Sequence, residues 1–239
     1  MKTNLDDLSY VGDGDEEFGI RNLYGNILIK RSKVNVTSES KGDGKYGIYG
    51  KKIQIIDSSV NVKSYQRGIK AKKEGLTIDS SNVYVSAKDK AIMVGPKSGI
   101  STKKLSLSGC TMKDGRKKGR YDNKYVVVKT KSGNSAKTVS IKMTKPGKPV
   151  LSLSNEKDTG KIKLSWTTTP LDSKYQIYRA VKKDGKYTRI ATVEKVKTTK
   201  KATYIDKKAK AGKTYYYKVR TIAGEKKSAY STVKSRRCK

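Results

Sequence analysis

The chain has 239 residues, with 56 Lys and Arg against 21 Asp and Glu, and no histidine. A net charge of +35 reads either as a surface for anionic partners or as a Lys-rich solvated surface, and the missing histidine excludes His-based triads, His-ligated metals and the commonest general base. Two cysteines far apart in sequence exclude a disulfide framework and a Cys-x-x-Cys metal knuckle, and no apolar run of about eighteen residues is present to cross a membrane as a helix.

Residues 1–17 carry the opposite charge balance, through Asp6, Asp7, Asp13, Asp15, Glu16 and Glu17. Asp13-Gly14-Asp15-Glu16 offers oxygen ligands of the kind calcium takes, without the spacing of a calcium loop. The segment reads as a frayed terminus or the remnant of an earlier coil. Met1 to Asp7 has no apolar core, so it is not a signal peptide.

From Phe18 to Met112 a pattern repeats. A Gly-Ile pair, once Ala-Ile, recurs at Gly19-Ile20, Gly47-Ile48, Gly68-Ile69 and Ala91-Ile92. Alternating triplets follow each pair: Ile27/Ile29 with Val34/Val36, Ile53/Ile55 with Val60/Val62, Leu76/Ile78 with Val83/Val85, and Leu105/Leu107 with Met112. A small residue (Ser32, Ser58, Ser81, Cys110) separates the two triplets of each copy. Alternation over three to five positions predicts strands, and Gly, Ser, Asn and Asp between them predict turns. One copy cannot bury its apolar face, whereas stacked copies can. The expected product is a parallel β-solenoid of about four coils, spanning residues 18–144 with terminal cap strands, in which Ile27, Ile53, Leu76 and Leu105 lie over one another.

The Gly-Ile pairs and the turns Ser58-Ser59-Val60-Asn61-Val62 and Ser80-Ser81-Asn82-Val83-Tyr84-Val85 resemble the right-handed parallel β-helix repeats of pectate-lyase-like proteins. They look most like the short versions in surface and secreted proteins of Gram-positive anaerobes. The resemblance covers a little under half the chain and implies an exported or cell-surface location, which, beside the missing signal peptide, makes the expected chain a C-terminal portion of a longer exported protein.

At the end of the repeat Lys113, Arg116, Lys117, Lys118, Arg120 and Lys124 form the densest basic cluster, expected in a loop. It reads either as a polyanion site or as a solvated loop. Lys145-Pro146-Gly147-Lys148-Pro149 then interrupts the pattern as an interdomain linker. Over residues 150–239 longer alternating strands are expected at Ile162–Trp166, Tyr175–Tyr178, Arg189–Val193, Tyr215–Val219 and Tyr230–Val233, which argues for a β-sandwich. With no helical periodicity anywhere, the fold class is all-β.

This second module resembles a fibronectin type III domain. The family's buried second-strand Trp corresponds to Trp166, its third-strand aromatic to Tyr175 or Tyr178, and its tyrosine corner to Tyr215. Ala209 and Ala211 stand where the family usually has Leu and Pro, which predicts a looser corner. No Arg-Gly-Asp tripeptide is present, so integrin-type adhesion is not implied. Cys110 is expected as a buried, inert thiol, and Cys238 in a mobile tail.

Neither a phosphate loop nor a nucleophile elbow is present. Asp57, Asp79, Asp89 and Glu74 are the solenoid's carboxylates. Asp57 and Asp79 are expected one coil apart on one face, either as a catalytic pair or, the reading preferred here, as turn residues capping backbone N–H groups. No catalytic, metal or cofactor residue is assigned. Tyr24, Tyr49, Tyr65 and Tyr84 fall at solenoid turns, where exposed rings would stack on sugar faces. The 46 Lys against 10 Arg argue against bidentate reading of bases. The expected function is a non-enzymatic extracellular surface or secreted binding and adhesion module for carbohydrate or an anionic cell-wall polymer, with the sandwich as spacer or second binding face. The alternatives are a polysaccharide lyase or glycoside hydrolase fragment on a β-helix, and a charge-driven binder of polyanions or, non-specifically, nucleic acid.

Overall fold

A computed structural model of the chain describes residues 2–5, 9–12, 18–38, 45–95, 105–114, 117–121, 125–195 and 201–239, backbone only for 2–5, 9–12, 18 and 117–121. The described residues form strands and turns only. They divide into two compact units, Met1–Thr144 and Lys145–Lys239.

The strands of the first unit are β1 (Lys2–Leu5), β2 (Ser9–Gly12), β3 (Phe18–Lys30), β4 (Lys33–Ser38), β5 (Tyr46–Ile56), β6 (Ser59–Ser64), β7 (Arg67–Ala71), β8 (Leu76–Asp79), β9 (Asn82–Ala87), β10 (Lys90–Val94), β11 (Leu105–Ser108), β12 (Cys110–Asp114), β13 (Lys117–Tyr121), β14 (Tyr125–Lys129) and β15 (Thr138–Met143). In one sheet β1, β3 and β5 are joined by β7 and β8, and these by β10 and β11, all parallel. In the other, β2, β4, β6 and β9 are parallel. The register places Ile27, Ile53, Leu76 and Leu105 opposite one another in turn. It does the same for Val34, Val60 and Val83, and for Val36, Val62 and Val85. All of these are buried in one core. A one-residue slip would turn every one of them outward, so the apolar alternation fixes the register.

The Gly-Ile pairs have a steric cause. A Cβ at Gly47 would collide with Val62 Cγ1, one at Gly68 with Val85 Cγ1 and the Ala91 carbonyl, and one at Gly19 with Val36 Cγ1. Each glycine thus makes room for a valine of the second sheet.

Each copy of the repeat bends at a corner with a left-handed backbone. Arg31 (φ +54°), Asp57 (+51°), Ser80 (+47°) and Gly109 (+59°) occupy equivalent positions, and only the last is glycine. The next residue is in each case the small one of the repeat. Ser58 Oγ accepts the Ser32 N–H at 3.1 Å, and Ser81 Oγ accepts the Ser58 N–H at 2.9 Å. The Ser32, Ser58 and Ser81 hydroxyls donate to the carbonyls of Lys30, Ile56 and Asp79. Cys110 ends this ladder, its thiol 3.4 Å from the Ile78 carbonyl. Burial there pushes the thiol pKa up, in keeping with an inert sulfhydryl.

The fourth copy departs from simple stacking. Its first triplet stacks as expected, Leu105 on Leu76 and Leu107 on Ile78. Met112, however, does not continue the valine column, because β15 enters between β9 and β12 and pairs antiparallel with both. Val139 thereby faces Val85, and Ile141 faces Val83. In the other sheet β14 closes on β10, also antiparallel. The edges of β9 and β10 are thus covered by antiparallel strands, which limits the exposed template for pairing, while β11 pairs only with β8 among the described residues.

The second unit contains β16 (Leu151–Asn155), β17 (Ile162–Thr167), β18 (Lys174–Ala180), β19 (Thr188–Glu194), β20 (Lys201–Asp206), β21 (Thr214–Ala223), β22 (Lys226–Lys227) and β23 (Lys234–Arg237). One antiparallel sheet has the order β16-β17-β20, and the other β19-β18-β21 with β22 and β23 on β21. Their inner faces share a core of Trp166, Tyr175, Ile177, Tyr217 and Val219. Trp166 meets Tyr175 edge-on at 5.4 Å, so Tyr175 rather than Tyr178 is the buried third-strand aromatic. The corner tyrosine is in place, Tyr215 Oη accepting the Lys210 N–H at 3.2 Å.

Two expectations for this unit fail. Tyr230–Val233 is not a strand. Ser228 and Ser231 give their N–H groups to Thr221 and Val219, and their own hydroxyls accept the return bonds, so side chains close what a regular ladder would close through carbonyls. Cys238 is not in a mobile tail. It is 1% exposed within the core, tied by backbone bonds to Lys213 and Gly212. Both thiols are free.

Candidate functional site

The sequence-predicted residues do not converge. In the basic cluster, Arg116 and Lys124 lie outside the described residues, and Lys113 is exposed on β12. Lys117, Lys118 and Arg120 are not in a loop, for their backbone forms β13, paired with Lys129, Val128 and Val126 of β14. Of the four tyrosines, Tyr24 is 90% and Tyr84 40% exposed, whereas Tyr49 is buried. Tyr65 is half-buried under Lys88, whose ammonium lies 5.0 Å from its ring centre. The burial of Tyr49 removes it from any sugar-stacking row.

The carboxylates are also dispersed. Asp79 lies opposite Ile56, not Asp57. Asp57 is at the corner, 4.0 Å from Arg31 Nε, and Asp79 accepts the Ser80 hydroxyl at 3.0 Å. Glu74 pairs with Lys51 at 2.6 Å, and Asp89 with Lys90 and Arg67. The pair expected on one face is therefore offset by a residue and engaged in turn contacts. Among the described residues no three His, Cys, Asp or Glu side chains come together as a metal site.

Two cation–aromatic clusters went unnoticed in the sequence. In the first unit Lys70 is buried, with its ammonium 4.9, 5.6 and 4.5 Å from the ring centres of Tyr46, Tyr49 and Tyr125. It donates to the Tyr46 hydroxyl at 2.9 Å. The three rings are occupied by the chain's own lysine, which makes this a packing device.

The second cluster lies on the β18–β21 face turned away from the core. Alternation in β21 buries Tyr217 and Val219 and turns Lys218 and Arg220 outward, while β18 buries Tyr175 and Ile177 and turns Gln176 and Tyr178 outward. Lys218 Nζ sits between Tyr187 and Tyr230, 4.2 and 4.3 Å from the ring centres. The Arg220 guanidinium carbon is 5.1 Å from the Tyr230 and 5.4 Å from the Tyr178 ring centre. Arg220 donates to Gln176 Oε1 at 2.8 Å and to Tyr178 Oη at 2.9 Å, and Tyr178 meets Tyr230 edge-on at 5.2 Å. Rings and cations thus alternate in the order Tyr187, Lys218, Tyr230, Arg220, Tyr178, all half-buried.

The carboxylates of this unit sharpen the charge imbalance. Residues 145–239 hold 27 Lys and Arg against seven Asp and Glu, and two of the seven, Asp172 and Asp206, are buried. Asp206 accepts from Arg179 at 2.8 Å and from Tyr217 at 2.9 Å. Burial and the bond to the Asp206 carboxylate push the Tyr217 phenol well above its ordinary value, against the opposing charge of Arg179. Asp172 accepts the Tyr175 hydroxyl at 2.7 Å, and burial pushes its own carboxyl up.

Residues 150–236 match a family model described as a fibronectin type III domain, the third domain of SaeA. The second unit has the fibronectin type III fold. The match lies wholly within it. A fibronectin type III-like protein from Clostridium thermocellum is 26% identical, over 36% of this chain and 86% of that one, with a TM-score of 0.32. The twitchin kinase region from C. elegans is 19% identical, over 38% of this chain and 16% of that one, with a TM-score of 0.31. A chitinase from a Paenibacillus species, described as cell-surface-expressed multi-modular enzyme machinery, is 14% identical over 98% of this chain, with a TM-score of 0.29; this chain spans 24% of it. At these scores the likenesses carry no argument about function. No curated protein matches the chain.

Proposed function

We propose that the chain is a non-enzymatic extracellular or cell-surface binding module. In this reading residues 18–144 are a short parallel β-solenoid with cap strands, and the fibronectin type III unit after the 145–149 linker is a spacer or a second binding face. The solenoid assignment rests on the strand-by-strand parallel register across three successive copies. The ligand is carbohydrate or an anionic wall polymer.

The observation that carries the ligand class is the distribution of carboxylates in the second unit. Asp172 and Asp206 are used inside the core, so 27 cations share the unit with only five other acidic side chains. Most of the lysines are exposed. Such a surface attracts polyanions at long range, and salt screens that attraction over about 8–10 Å at physiological strength.

The test is an array of neutral glycans, acidic glycans, teichoic acid and DNA, probed at low and physiological salt. Selective binding of a carbohydrate or wall polymer that survives physiological salt is expected. Equal binding to every polyanion, lost steeply with salt, would reduce the function to charge alone.

A further inference from the structure

We propose that the outward β18–β21 face of the second unit is a site for an anionic polymer of sugar or polyol units, with Lys218 and Arg220 as its anion-binding pair. This rests on the reading above and gives it a location.

The geometry favours oxygen anions. Lys218 Nζ is sandwiched between Tyr187 and Tyr230, and among the described residues it contacts no hydrogen-bond acceptor and no carboxylate. Ring faces attract an ammonium but accept no conventional hydrogen bond from its N–H donors. Arg220 is oriented by Gln176 and Tyr178 through Nε and Nη2, which leaves Nη1 as a free donor at a fixed place. Two oriented cations with open donors and no counter-charge make up an anion site short of its anion. Arg189, exposed on β19 opposite Tyr178, adds a third positive charge at the rim.

The same geometry argues against nucleic acid as the partner. Single-stranded binders offer bare aromatic faces on which bases stack. Here the Tyr187, Tyr230 and Tyr178 faces are engaged by Lys218 and Arg220. The Tyr187 and Tyr178 hydroxyls donate to the Lys183 carbonyl and to Gln176 Oε1, so what remains for a ligand is the N–H donors of Lys218 and Arg220, which suit a chain with recurring anionic groups.

The experiment titrates the full-length chain at physiological salt with alginate (carboxylate), glycerol-phosphate polymer (phosphate) and single-stranded DNA. The variants are Lys218→Gln/Arg220→Gln, the charge-matched control Lys207→Gln/Lys208→Gln on the loop after β20, and Lys218→Arg. Thermal unfolding checks that each variant folds. The double substitution on the face should weaken alginate or glycerol-phosphate binding at least tenfold, the control less than threefold, and Lys218→Arg should keep most of the affinity. The stronger of the two polymers identifies the anionic group. Equal losses in the two double variants would overturn the site and leave the proposed function standing. No binding of either polymer by the unsubstituted chain would overturn the site and, with it, the anionic-polymer form of the proposed function. Preference for DNA would overturn the choice of a sugar or polyol polymer. If the face variant unfolds, Lys218→Arg and Arg220→Lys decide: binding must then follow the retained charge, and its loss in a folded variant would sink the anion-pair assignment.

Discussion

Ser81 Oγ accepts the backbone N–H of Ser58 at 2.9 Å, across 23 residues of sequence and one step of the stack. Ser81 is fully buried, so no water replaces it when it is removed. Ser81→Ala therefore strands a buried donor, and the first unit should lose about 1–3 kcal/mol. Ser81→Cys should cost clearly less, since Cys110 already fills the equivalent place one copy later. Urea unfolding followed by circular dichroism gives the comparison. Trp166 is the one tryptophan of the chain and belongs to the second unit, so its fluorescence transition should not move. Equal losses for Ala and Cys would mean that the ladder contributes through shape rather than hydrogen bonding.

Arg31 holds φ at +54° in the same corner that Gly109 occupies at +59°. A non-glycine residue in this region carries a steric penalty of about 1–2 kcal/mol. The ion pair with Asp57 is long, at 4.0 Å, and partly exposed, so it offsets little of that penalty. Arg31→Gly should raise the stability of the first unit by up to about 1 kcal/mol, the gain being trimmed by glycine's greater freedom in the unfolded chain. Arg31→Val should lower it. Chemical denaturation of both variants tests this, and a loss on Arg31→Gly would show that the Arg31 side chain matters more than its backbone strain.

A Cβ at Gly47 would collide with Val62 Cγ1. Gly47→Ala should thus cost about 1–3 kcal/mol through overpacking. Val62→Ala, which empties buried space, should cost about 2 kcal/mol by itself. In the double variant the new methyl enters the space that the valine vacates, and the combined loss should fall short of the sum by about 1 kcal/mol. Strict additivity in a denaturation cycle would show that the glycine is required by its backbone and not by the valine.

The repeat was legible because a period of two in Ile27/Ile29, Ile53/Ile55 and Leu76/Ile78 admits one buried register. The buried Trp166 was legible from the resemblance to the fibronectin type III family, which left Tyr175 and Tyr178 open as the third-strand aromatic until the contact with Trp166 decided for Tyr175. The closure of the stack was not. Val139 and Ile141 look like any alternating pair, and only the path of the chain makes their strand run antiparallel between β9 and β12. Cys238 was misread because what buries it, a site beside Gly160 and Ala209, comes from segments far away in sequence. The cation–tyrosine face was half legible: alternation through Tyr217 and Val219 already turns Lys218 and Arg220 outward, but nothing local brings Tyr187 and Tyr230 to either side of Lys218. Tyr49 failed as an exposed ring because Lys70, one copy later and opposite in register, draws it inward.

Asp172 gives the second unit a pH signature of unusual sign. Its carboxylate accepts the Thr169 N–H at 2.6 Å, the Thr169 hydroxyl at 2.7 Å and the Tyr175 hydroxyl at 2.7 Å. Burial outweighs these bonds and holds its folded pKa above the ordinary 3.8. The native state therefore takes up this proton at a higher pH than the unfolded chain does. Its contribution to stability is lowest near neutrality and grows as pH falls through the raised folded value, until the unfolded carboxyl also protonates near 3.8. Asp172→Asn removes the titration. Non-specific charge repulsion among the remaining cations is common to both proteins and cancels in their difference. Unfolding followed by Trp166 fluorescence, with Trp166 in edge contact with Tyr175, should thus show the unsubstituted chain gaining on Asp172→Asn between pH 7 and pH about 4. A difference that stays constant over that range, or shrinks on acidification, would mean that the three hydrogen bonds to Asp172 outweigh its burial.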